Sequence, residues 1–265
     1  MPTQKEKDLF IRAASIDWSK IPETSYLRAI PALSGRSRSD LFVNPAGFAE
    51  PLTQLTFHKP ITFFVGENGT GKSTLLEALA LSLGFNAEGG TKYYNFSTYD
   101  SHSDLYRAMR LSRGIHMPKY GYFLRAESFY NVATKEMDYA DPAHPSLRLH
   151  EKSHGEGFLA TIQRYFHGNG VYLMDEPEAA FSPQRQLVLL SEIHRCAENG
   201  AQFIIVTHSP ILLGIPNSEI LTFDEGLIHP CEYEDTSSYI VTLGFMTHKK
   251  QMLKELLKAD DEEEN

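Results

Sequence analysis

Residues 61–80 read ITFFVGENGTGKSTLLEALA, with glycines, a lysine and a hydroxyl at offsets that suit anion chemistry. Gly66, Gly71, Lys72 and Ser73 fit the pattern G-x-x-x-x-G-K-[ST]. Glycine lets the backbone curl until successive N–H groups face a phosphate, and the helix that follows turns its positive end to the same anion. Lys72 is placed to reach the β- and γ-phosphates, and the Ser73 hydroxyl to ligate Mg²⁺. Asn68, Gly69 and Thr74 complete the set expected to hold ATP. Ile61 to Phe64 are β-prone, and Leu75, Leu76 and Leu79 form an apolar stripe of helical period, so the loop joins a strand to a helix. An ordinary glycine-rich turn before a core helix would not need all four positions at once.

Three further stretches place polar groups at the ends of apolar runs. In VYLMDEPEAAFSP, 171–183, a strand ends in Asp175 and Glu176, two carboxylates at the C-terminal edge of a parallel sheet, where α/β proteins bind ligands. Asp175 is expected to hold Mg²⁺ through water, and Glu176 to take a proton from the attacking water or orient it. Ser182 and Pro183 read as a helix cap and first helical residue, a purely structural account that leaves the Asp-Glu pair unexplained. In FIIVTHSP, 203–210, a second buried strand ends at Thr207 and His208. Histidine at a strand end is often only a capping or core residue; on the same edge as Asp175 it would hydrogen-bond the γ-phosphate and the attacking water. In KSHGEGF, 152–158, Ser153 and Gly155 open an apolar helix containing Phe158, Leu159 and Ile162, an anion-binding start that is common taken alone.

The hydrophobic pattern predicts the elements that must position these groups. Short strands are expected at 26–33 and 53–57, ahead of the loop strand, and Gly84 suits the residue just past a helix. A strand at 93–98, a helix at 103–113, a strand at 120–125, a helix over SFYNVATKEMDYA and the loop DPAHPSLRLHEK follow. From about Gly155 the order is helix, strand 171–174, helix 183–198, strand 202–206, helix 210–213, then a hairpin about Asp224 to Gly226. Alternating strands and helices imply an α/β fold with a mainly parallel sheet flanked by helices, and the clustered early strands imply a small antiparallel N-terminal layer. Segment 231–259 ends in a helix with Phe245, Met252, Leu253, Leu256 and Leu257 apolar, suited to packing on the core or on a partner.

At 265 residues and 42% hydrophobic, the chain is long enough for one large domain, taken as 1–258 with an acidic tail at 259–265. Net charge is −9; the tail supplies five of the 34 acidic residues, so affinity for polyanions is expected to be weak. Arg36 with Arg38 in one loop, and Arg107, Arg110 and Arg113 on one helix face, read as solvated surface. No apolar run approaches the ~20 residues of a membrane span. The N-terminus is too charged for a secretory signal, and Cys196 and Cys231 show neither metal spacing nor a disulfide framework, so the expected address is the cytoplasm.

Taken in order, GENGTGKST (66–74), SHGEG (153–157), VYLMDE (171–176), EAAFSP (178–183) and His208 resemble the Walker A, signature, Walker B, D-loop and switch histidine of an ABC-type ATPase. More narrowly, FFVGENGTGKSTLLEALA, FLRAESF, SHGEGF, DEPEAAFSPQRQL and IIVTHSPILL resemble small, stand-alone bacterial ATPases often labelled AAA family, related to SMC, RecF and overcoming-lysogenization-defect ATPases. The resemblance runs from about residue 40 to 225. It implies a P-loop NTPase of ABC-ATPase type, with a helical lobe at about 99–165, that hydrolyses ATP with Mg²⁺. It also implies a head-to-tail homodimer around two ATP, Ser153 and Gly155 of one copy capping the γ-phosphate held by Lys72 of the other.

Some positions depart from the family. Its glutamine between Walker A and signature is missing, and Glu127 in FLRAES is the candidate metal-site residue in its place. The D-loop has Phe181 and Ser182 where the family carries an aspartate. Phe42 and Phe48 are the aromatic residues upstream of Walker A that resemble adenine-stacking positions, and neither is assigned. The kinship implies a role in DNA repair or genome defence, although the region 85–152 is too short for long coiled-coil arms. A nucleotide-gated module controlling a toxin or nuclease is the alternative, and the energising subunit of a transporter a third, against which the missing glutamine counts.

Overall fold

The computed structural model describes residues 9–34, 52–92, 103–138 and 145–257. The expectations for Arg36, Arg38, Phe42, Phe48, the strand at 93–98 and the tail at 259–265 lie outside the described residues. Within them the chain runs β1 (Ile11–Ile16), α1 (Pro31–Ser34), β2 (Gln54–Thr56), β3 (Ile61–Val65), α2 (Lys72–Ser82), α3 (Leu105–Ala108), β4 (Met109–Arg113) and β5 (Tyr120–Arg125). It continues through α4 (Phe129–Asp138), α5 (His154–Tyr165), β6 (Gly170–Asp175), α6 (Pro183–Glu198), β7 (Gln202–Val206), α7 (Pro210–Leu213), β8 (Ser218–Thr222), β9 (His229–Pro230) and α8 (Ser237–Leu256).

The main sheet has the order β5-β6-β7-β3-β8-β9 and is parallel except at β9. Strands β3, β6 and β7 are buried at every residue. Covered on both faces, they need apolar side chains at all positions, which is why they read as unbroken hydrophobic runs. Successive residues serve opposite cores. Phe64, Leu173, Ile204 and Val206 pack with α2 and the small sheet, whereas Phe63, Met174, Phe203 and Ile205 pack with α4, α5 and α6. Each such side chain contributes about 1.5–3 kcal/mol on burial.

Register fixes the working edge. Phe64 lies opposite Val206, Val206 opposite Asp175, and Asp175 opposite Arg125. Because these strands are parallel, the segments leaving β3, β5, β6 and β7 emerge together, as the switch-point rule for α/β sheets requires. The small antiparallel sheet, β2-β1-β4, packs on the α2 side. A polar clasp joins the two sheets: the Gln202 amide donates to Ile11 O and accepts from Ile11 N, both at 2.9 Å.

Three expectations fail here. Residues 26–33 are not a strand: Ser25 caps a 3₁₀ turn over Tyr26–Ala29, and Pro31, which has no N–H for a ladder and suits a helix start, opens α1. The expected helix at 103–113 stops at Ala108 and becomes β4, which pairs with β1 from Met109 to Arg113. Tertiary pairing overrides the helical propensity of that segment, so Arg107, Arg110 and Arg113 share no helix face. Strand β1, whose partners β2 and β4 lie roughly 40 and 100 residues further along the chain, has no local signal. Finally, α8 does form, but none of its residues is buried, so it does not pack into the core.

Candidate nucleotide and metal site

The phosphate loop curls because Gly66, Gly69 and Gly71 take φ of +130°, +81° and +98°. Gly66 also has no room for a side chain, since a Cβ would stand 2.9 Å from Asp224 Oδ1. That carboxylate accepts from Glu67 N at 2.8 Å and pins the start of the loop to the end of β8. Asn68 and Gly69 are exposed at the tip, and Thr74 is half-buried in the first turn of α2. Lys72 folds back on its own loop, donating to Gly66 O at 2.6 Å and Glu67 O at 2.7 Å. Burial lowers its pKa, while Glu176, Asp224, Asp175 and Glu67 pull it back up.

Across the loop, Ser73 Oγ donates to Asp175 Oδ1 at 2.9 Å. Burial raises the Asp175 pKa, and the nearby Arg125 guanidinium and the Ser73 hydrogen bond oppose that shift. A hydroxyl and one carboxylate side by side are hard oxygen donors of the kind Mg²⁺ takes, the remaining positions going to water and phosphate oxygens. Among the described residues there is no group of three or more His, Cys, Asp or Glu that could hold a metal ion.

Glu176 follows Asp175 in a left-handed conformation (φ 48°, ψ 53°), and its N–H donates to Val206 O at 3.0 Å. Its carboxylate lies 3.8 Å from His208 Nε2, with both side chains half-exposed. The structure therefore brings Lys72, Ser73, Asp175, Glu176 and His208 to one edge. It leaves Glu127 outside that cluster: its side chain is 86% exposed and its ion pair is with Arg125 Nη2 at 3.5 Å.

Ser153 is exposed at the start of α5, its N–H and hydroxyl both donating to Glu156 Oε2, at 3.0 and 2.6 Å. Gly155 lies against the turn that follows β6: a Cβ there would meet Ala180 O at 2.8 Å and Arg185 Nη1 at 2.3 Å. Glycine is thus what allows the start of α5 to approach the Pro177–Ala180 turn and the first turn of α6.

Sequence reasoning missed two residues. Glu178 accepts from Thr207 Oγ1 at 2.8 Å and from His208 N at 2.6 Å, tying the end of β7 to the turn that follows β6. Arg125 bridges Asp175, Glu77 and Glu127. The charged residues of DEPE and FLRAE are plain in the sequence, but their partners depend on strand order. Beside the loop, on the β8 and β9 side, an open cavity of about 950 Å³ is reached by Glu67, Thr70, Asp224 and Glu225.

A glycine-rich loop capping a helix, with a serine on a buried strand-end aspartate, defines a P-loop nucleotide-binding protein of the α/β class. Residues 46–113 match the family model described as "AAA domain", and residues 147–214 match "AAA domain, putative AbiEii toxin, Type IV TA system". Both matches are to AAA-type domains, and they support ATPase activity. The fold of the chain is similar to the SMC head domain from Thermotoga maritima, at 14% identity over 70% of this chain and 95% of that one, with a TM-score of 0.40. It is also similar to a "putative metal-chelate type ABC transporter" in an inward-facing conformation, at 20% identity over 72% and 80% of the two chains, TM-score 0.41. No curated protein matches the chain in sequence.

Proposed function

We propose that this ATPase uses Mg²⁺ and works as a head-to-tail pair of copies, Ser153 and Gly155 of each closing over the ATP held by Lys72 of the other. The observation that carries the reading is the convergence of Lys72, Ser73, Asp175, Glu176 and His208 on one sheet edge. In the assignment, Ser73 and Asp175 hold Mg²⁺, which neutralises phosphate charge. Lys72 exchanges its loop carbonyls for β- and γ-phosphate oxygens, and Glu176 takes the proton of the attacking water. His208, its backbone set by Glu178, donates to the γ-phosphate. Within one copy the Ser153 hydrogen bonds stay inside its capping box, at an exposed helix start available to a second molecule.

Ser153→Arg is therefore expected to leave ATP affinity within about twofold and to abolish ATP-dependent dimerisation, measured by light scattering after chromatography. An ATP-dependent dimer formed by that variant would remove the trans arrangement.

For the purpose of the cycle, we infer DNA repair or genome defence in the cytoplasm, on kinship with SMC- and RecF-type motifs. A second reading, control of a protein effector, is favoured by α8: Ile240, Val241, Leu243 and Met246 are exposed on a helix with no buried residue. The family description over residues 147–214 names a toxin of a type IV toxin–antitoxin system, which is consistent with it. No described helix is long and apolar enough to cross a membrane. Steady-state ATP turnover with and without duplex DNA, at low and physiological salt, separates the readings. Stimulation that fades with salt supports a DNA-acting enzyme; turnover indifferent to DNA moves the target to a protein bound by the closed dimer.

A further inference from the structure

Arg125 closes β5 directly beside Asp175 in register, yet the chemistry above makes no use of it. Its guanidinium is held unevenly. Nη1 is anchored, donating to Glu77 Oε2 at 2.9 Å and Ala87 O at 3.0 Å. Nε is buried with no hydrogen-bond partner and stands 3.6 Å from Asp175 Oδ2, an attraction of charge alone. Nη2 faces Glu127 Oε2 at 3.5 Å. One end of the cation is fixed, and the other is shared between a buried carboxylate and an exposed one.

We propose that Arg125 is the internal counter-ion of the metal site, neutralising Asp175 until Mg²⁺ arrives and then passing to Glu127. This rests on the assignment of Asp175 to the metal. A buried carboxylate needs a compensating charge, and Arg125 supplies it while Ser73 occupies the other oxygen. A divalent cation on the same carboxylate repels the guanidinium, so the two compete. Glu127, exposed and already within reach, receives the displaced end. The movement has somewhere to go. Next to Glu127, Ser128 donates to Glu88 O, and Phe129 begins α4 with its ring 4.0 Å from that of Phe158 in the signature helix.

The test uses the full chain with ADP and Mn²⁺ as a paramagnetic probe, free Mn²⁺ being read by electron paramagnetic resonance. Arg125→Gln removes the competitor and is expected to bind Mn²⁺ about tenfold more tightly, with Arg125→Lys close to wild type. A residue that only braced Asp175 would give the opposite sign, because losing an outer-shell support weakens metal binding. Weaker or unchanged affinity in Arg125→Gln overturns the proposal. Should that variant fold poorly, Glu127→Gln at its exposed position is the second arm. It is expected to weaken Mn²⁺ binding about threefold, because it removes the charge that draws the guanidinium away from Asp175; unchanged or tighter binding would overturn the proposal. Asp175→Asn tests the layer beneath: Mn²⁺ binding retained there would remove the metal assignment itself, whereas its loss beside an unaltered Arg125→Gln would remove only the counter-ion.

Discussion

Glu176→Gln is expected to bind ATP as tightly as the wild type, to lose turnover by roughly 10²–10⁴-fold, and to accumulate as an ATP-bound dimer. The backbone, not the carboxylate, sets this residue's place: its N–H extends the β6–β7 pairing by one step, and its left-handed conformation starts the turn over Pro177–Ala180. Glutamine preserves shape and removes only the proton acceptor. It also removes a negative charge that acts on Lys72, so phosphate binding has no reason to weaken. Glu178 is a poor substitute base, because its two oxygens are already committed to Thr207 and His208. Single-turnover hydrolysis and light scattering with ATP are the measurements; multiple turnover within about tenfold of wild type would take the general-base role away from Glu176.

The parts of this molecule legible in the sequence are those whose signal is local. The loop at 66–74 needs glycine at left-handed positions, and Gly84 likewise takes φ +88° just past α2. Strands β3, β6 and β7 announce themselves by continuous burial, and α6 by Ser182, which caps it, followed by Pro183. What the sequence hid depends on partners distant along the chain. β4 is a strand only because β1 pairs with it, and Arg125 matters only because β5 lies beside β6. Glu127 looked like a metal residue when placed by analogy with a missing glutamine; in the structure, its neighbour two positions earlier takes the place beside Asp175. The solvent-exposed apolar face of α8 could not be foreseen, since its composition is that of a helix meant to be covered.

Lys72→Ala is expected to reduce ATP affinity by about 3–6 kcal/mol, roughly 10²–10⁴-fold, as two hydrogen bonds to charged oxygens are lost at about 1.5–3 kcal/mol each. Folding should survive. Alanine is the best helix former for the first position of α2, and the freed carbonyls of Gly66 and Glu67 lie in a loop open to water. Burial disfavours the charged lysine, so its folded-state pKa is lowered. The protonated side chain is therefore a cost to folding at neutral pH, and that cost fades only as pH rises through the lowered pKa. Removing it offsets the lost carbonyl contacts, so the Tm without nucleotide should stay close to wild type. The loss should be smaller for ADP, which lacks the γ-phosphate that Lys72 also holds. Calorimetric titration with both nucleotides checks this: a variant that binds ATP within about threefold of wild type, or loses ADP and ATP equally, would mean that Lys72 does not bridge the β- and γ-phosphates.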